Sequence, residues 1–109
     1  MKTYNIYLAE KIYTRKEDGN CYANYLSLKK VAEGLEKFST ECWPIIDELK
    51  KELVGEGAWE GCLSRSEDWC VDTLTRNATE ADTERDAMFP EFISIEIITT
   101  PHELKLRKA

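Results

Sequence analysis

The chain has 109 residues, 42% apolar and 33% charged, with a net charge of −6. Length and composition describe one soluble globular domain that can bury a core without disulfide or metal staples, and they exclude a disordered chain. No apolar run nears the roughly 20 residues of a membrane helix.

The N-terminus "MKTYNIYLAEKIY" is interrupted by Asn5, Glu10 and Lys11, so it lacks the apolar centre of a signal peptide. The expected compartment is the cytosol, where Cys21, Cys42, Cys62 and Cys70 stay reduced. The sequon at Asn77 then has no role. Within this segment Tyr4, Ile6 and Leu8 alternate with Asn5, Tyr7 and Ala9, a period of two that predicts a strand. Asp18-Gly19 marks a turn, flanked by "EKIYTR" and "CYANYLS", which read as the arms of a hairpin or as a long loop.

From Ser27, a plausible N-cap, the period changes. Leu28, Val31, Leu35, Phe38, Cys42, Ile45 and Leu49 recur at steps of three and four, which predicts one apolar helix face. Pro44 interrupts it, and Ser39 and Thr40 offer a new cap. Either one kinked helix or two helices broken near Ser39 fit. The break is preferred, because a straight helix of that span would be about 40 Å long.

"AWEGCLSRSEDWCVDTL" follows the glycines of "GEG" and is rich in Trp, Val and Thr in its second half, which predicts a hairpin. A helix capped by the Ser64–Glu67 box is the competing reading. A turn near Ser66 would set Cys62 opposite Cys70 and Trp59 opposite Thr73, close enough for a reversible Cys62–Cys70 disulfide. The plainer alternative is two reduced, apolar cysteines. "TEADTERDAM" predicts a short helix capped by Thr79, with acids loading its first turn. "FISIEIITT" is the clearest strand, with Ile93, Ile95 and Ile97 on one face and Phe92, Ser94, Glu96 and Ile98 on the other.

The order strand, helical region, strand, strand, helix, strand predicts an α+β, ferredoxin-like (split βαβ) two-layer sandwich. Its antiparallel sheet would carry helices on one face, with a hairpin or loop inserted after the first strand. Tyr7, Phe92, Glu96 and Ile98 would then share an open sheet face suited to a second copy of the chain or to a ligand. All five tyrosines lie within the first 25 residues. A base-stacking role for them conflicts with the charge and with the missing basic-aromatic ribonucleoprotein pattern.

Charge is uneven. Between Glu60 and Glu96 ten acids face three arginines, Arg65, Arg76 and Arg85. Such a segment repels phosphate backbones and attracts cationic partners. The cysteines lack a C-x-x-C pair and His102 is the sole histidine, so no zinc site is expected. Glu80, Asp82, Glu84, Asp86 and Glu91 have the spacing of a calcium loop, but Arg85 stands where that loop needs glycine. No phosphate loop or nucleophile elbow is present, and no cofactor is implied.

The function expected from these residues is a small acidic, non-catalytic protein-binding module or inhibitor. It would engage a basic site on a macromolecular partner, such as a nucleic-acid-handling protein, in the manner of immunity or anti-defence proteins. Trp59 and Trp69 would anchor it, surrounded by Glu67, Asp68, Asp72, Glu80, Asp82, Glu84 and Asp86. The alternative is a ferredoxin-like enzyme or small-molecule binder with a pocket between sheet and helices, drawing on Tyr7, Trp59, Cys62 and His102.

Overall fold

The alternation that begins at Tyr4 runs as one strand, β1 (Tyr4–Arg15), in the computed structural model, which describes residues 2–15, 17–82 and 91–106. A turn containing Gly19, at φ 84°, returns the chain as β2 (Cys21–Leu35). A π-helical turn at Phe38–Cys42 then leads into α1 (Trp43–Gly55). The hairpin of β3 (Trp59–Ser66) and β4 (Trp69–Asn77) follows, and β5 (Phe92–Thr100) ends the sheet. The five strands are ordered β2-β1-β5-β4-β3, each antiparallel to its neighbours. The last strand thus lies between two hairpins that the helix connects.

This arrangement overturns the ferredoxin-like expectation. One α-helix, not two, covers the sheet among the described residues, and Ser27–Leu35 is strand rather than helix. The physical reason is a run of register shifts. Pairing with β1 slips between Tyr4 and Ile6, between Ile6 and Tyr7, and between Glu10 and Lys11. Each slip inverts which face the next residue meets. Leu28 therefore packs on one face while Val31, Ala32 and Leu35 pack on the other. Their spacing of three and four imitates a helix. The expected helix over 79–88 falls mostly on residues outside the described set; its first residues, Glu80–Asp82, make one 3-10 turn.

Pro44 sits in the first turn of α1, where its missing N–H has no partner to lose. Just upstream, the Glu41 carboxylate accepts the backbone N–H groups of Glu36 and Lys37 at 2.9 and 2.6 Å. The helix presses Ile46 and Leu49 onto Ile6, Leu74, Ile95 and Ile97, which form the main core.

The opposite sheet face is not open. Tyr7 and Ile98 there are 1% and 2% exposed and Glu96 7%, whereas Phe92 is 42% exposed. Beyond β5, residues 101–106 fold back over it, and the Leu104 N–H donates to the Tyr7 hydroxyl at 3.0 Å. Leu104 joins Leu28 and Trp69 against Tyr7, Ala9, Val71 and Ile98. Lys30 holds the same segment from the side through Glu103 at 2.6 Å. No helix among the described residues is long and apolar enough to cross a membrane.

The predicted β3–β4 hairpin exists, but its turn is the two-residue Glu67–Asp68. Cys70 consequently faces Arg65, and Trp59 faces Thr75 rather than Thr73. Cys62 lies in a bulge between Glu60 and Leu63. Cys62 is exposed and Cys70 buried, both free, so the register that a Cys62–Cys70 disulfide would need is absent. Gly61 permits the bulge: a Cβ there would lie 2.9 Å from the Thr73 carbonyl oxygen.

Two variants test this packing. Ile46→Ala removes the helix's most buried side chain and should lower unfolding free energy by about 2–5 kcal/mol in denaturant titration. Gly61→Ala should instead speed amide exchange along β3 while β1 and β5 stay protected.

Candidate functional site

The helix-free face carries a row of partners across all five strands: Trp59, Thr75, Ser94, Lys11 and Tyr25. Near the row's middle is a charge pair out of water. Lys11 Nζ donates to Glu96 Oε2 at 2.7 Å, and the side chains are 11% and 9% exposed. The Tyr25 hydroxyl donates to the other carboxylate oxygen at 2.6 Å. Lys11 also lies 4.9 Å from the centre of the Tyr13 ring. Burial pushes the lysine's pKa down, but hydrogen bonds to Glu96 and Tyr13 outweigh it, and the net shift is upward. Burial, then the bond to Glu96, pushes the Tyr25 hydroxyl up to about 12. Lys11 therefore stays charged at neutral pH and is no nucleophile.

This network divides the face. On one side is a cleft of about 540 Å³ between β2, Trp69 and residues 104–106. On the other is a shallower basin of about 250 Å³ lined by Lys11, Tyr13, Thr75, Phe92 and Ser94. Exposed Trp59 stands edge-on to Phe92 at its rim, with ring centres 5.7 Å apart.

The acids expected to form one binding surface are divided among different tasks. Asp72 is buried on the helix side and pairs with Lys50 at 3.1 Å. Asp82 accepts from Arg76 at 3.0 Å and from the backbone and hydroxyl of Thr79 at 2.8 and 2.9 Å. These bonds, led by Arg76, hold its carboxyl well below the usual carboxylate range. Arg76 also pairs with Glu10 at 2.7 Å. Asp68 in the β3–β4 turn pairs with Lys2, whereas Glu67 and Glu80 are exposed. Glu84 and Asp86 lie outside the described residues. Trp69 is half-buried against Tyr7 and Ile98, so Trp59 is the accessible one of the two indoles.

The residues of the enzyme-like alternative do not converge. Tyr7 is buried and bonded to the 102–104 backbone, His102 and Cys62 are exposed, and Trp59 belongs to the opposite edge of the sheet. Burial raises the pKa of both Cys42 and Cys70, which keeps these thiols protonated and unreactive. Among the described residues no group of three His, Cys, Asp or Glu is placed to hold a metal ion. Sequence reasoning missed Lys11, Tyr13 and Tyr25. A signal existed in the alternation of β1, which places Lys11 on the same face as Tyr7 and Ala9.

Removing one partner of the central pair leaves a charge stranded in the sheet. Lys11→Met should cost about 3–5 kcal/mol in denaturant titration, and Lys11→Met with Glu96→Leu should recover most of it. Stability should also fall at both pH extremes. The folded Tyr25 hydroxyl titrates above its unfolded value of about 10, so its contribution is whole below that pH and is lost on approach to about 12. Asp82 is depressed in the folded state, so its contribution is present above about pH 3.9 and is lost as pH falls. Tyr25→Phe should flatten the alkaline limb and Asp82→Asn the acid limb.

Comparison with protein-family models, with curated proteins and with solved structures gives no match to this chain.

Proposed function

We propose that this protein is a cytosolic, non-catalytic binding module of the inhibitor or immunity kind, which engages a basic macromolecular partner along β3. The edge strand itself carries the reading. All eight residues of β3 are exposed, including the large apolar side chains of Trp59 and Leu63. Natural sheets guard such edges with lysine or proline. β2, at the other edge, carries Lys29 and Lys30, whereas "WEGCLSRS" contains neither residue type. The Gly61–Cys62 bulge guards part of this edge, but Leu63 to Ser66 pair regularly with β4 and leave a template for strand addition by a partner.

Partner chemistry follows from the charge around the edge. Glu67 is exposed in the turn that ends β3, Glu60 on β3 is exposed but shares Lys50 with Asp72 at 3.2 Å, and the whole chain is net negative. Opposite charge speeds encounter with a basic protein. Trp59, braced edge-on by Phe92, supplies the apolar anchor. Asp72 and Asp82 stand outside this surface, because Lys50 and Arg76 already neutralise them. The four free cysteines, two of them exposed, suit a reducing compartment.

Affinity capture from the source cell, followed by measured binding of the partner it identifies, tests the reading. Trp59→Ala and Leu63→Lys should each weaken binding about tenfold or more. Glu67→Lys with Asp68→Lys should weaken it chiefly at low salt. A partner held equally by all three variants would sink the proposal.

A further inference from the structure

The cleft beneath residues 104–106 lies on the face away from α1, no residue of β3 lines it, and its chemistry differs from that of the edge. We infer that it binds a medium-chain aliphatic carboxylate. Its volume of about 540 Å³ falls in the range of small-molecule sites. Leu28, Ile98 and Leu104 line it, with Trp69 at the β4 side and Tyr25 at the β2 side. These two strands are separated by β5 and β1. Three strand spacings amount to roughly 14 Å, close to the length of an extended chain of about ten carbons. An aliphatic trough of that length suits an unbranched chain better than a compact ring.

The charge of the ligand is fixed by what remains unpaired. Two carboxylates beside lining residues are already engaged: Glu96 by Lys11 and Tyr25, Glu103 by Lys30. Lys105 lines the same cleft, and no described carboxylate lies within ion-pair distance of it. Lys105 acts on Glu103 only at longer range, and Glu103 is bonded to Lys30, so the charge left without a contact partner in the cleft is positive. A carboxylate head at Lys105 with its chain along Leu28 and Ile98 satisfies both features. The wall formed by residues 104–106 is held before any ligand arrives, by the Tyr7 hydroxyl and by the Lys30–Glu103 pair. Such preorganisation reduces the entropy lost on binding.

Sodium decanoate and 1-decanol, titrated into the full chain and followed by residue-resolved NMR, test the inference. Decanoate should bind saturably at one site, shifting the Trp69 indole and the Leu28 and Leu104 amides but not Trp59. Lys105→Gln, a change on an exposed segment, should weaken decanoate about tenfold and leave 1-decanol unchanged. Ala23→Trp, which fills the cleft from an exposed position, should abolish both. Absence of saturable binding, equal affinity of acid and alcohol, or decanoate binding unaffected by Lys105→Gln would each overturn it. Because β3 takes no part in this site, these outcomes are independent of the edge-strand reading.

Discussion

The architecture depends on one constraint: the central strand of the sheet has apolar side chains on both faces, so both faces must be covered. β5 lies between β1 and β4, with Ile95 and Ile97 toward the helix and Ile98 away from it. A single helix supplies cover on one side only. On the other, the chain covers itself, by bending β2 and by drawing residues 101–106 back across Tyr7 and Ile98. The Lys11–Glu96 pair sits where that cover thins. Its members are satisfied by each other and by Tyr25 rather than by water. A lysine in the middle of a sheet is tolerated because its partner lies one strand away, and removal of either would leave an uncompensated charge.

Strands with uninterrupted alternation were legible before the structure. Tyr4 to Ala9 and Phe92 to Thr100 read as strands from their alternation and form β1 and β5. The β3–β4 hairpin was also legible, since Trp, Val and Thr favour a half-buried pleat. Its register was not: a two-residue turn at Glu67–Asp68 and a bulge at Gly61–Cys62 move the pairing, and neither has a compelling local signal. β2 was misread for a deeper reason. A bulged strand that feeds apolar residues to both faces produces the same spacing as a helix, and periodicity alone cannot separate them. Only pairing with β1, a non-local fact, resolves the ambiguity.

The surface shows the same division. Composition revealed an acidic segment but not which acids would find cations. Asp72 meets Lys50, and Asp82 meets Arg76, across elements distant in sequence or folded tightly back. Both carboxylates thereby become part of the framework. Trp69 turned inward because it closes the second face, while Trp59, on the edge strand, had nothing to turn toward except Phe92. The open sheet face failed as an expectation because Leu104, beyond β5, carries an apolar side chain that seals it.

The central position of β5 also governs the order in which the molecule can be completed. The β1–β2 and β3–β4 hairpins share no hydrogen-bonded strand with each other; each bonds only to the segment made after both. Until residues 92–100 leave the ribosome, β1 and β4 present bare inner edges in addition to the outer edges of β2 and β3. Closure then joins chain positions about as far apart as this sequence allows, Asn5 with Thr100 among them, a slow kind of step because the loop must close before any contact repays it. A nascent chain stalled before that point would expose twice the unpaired strand edge of the completed sheet, which makes the interval before β5 emerges its period of greatest exposure to aggregation.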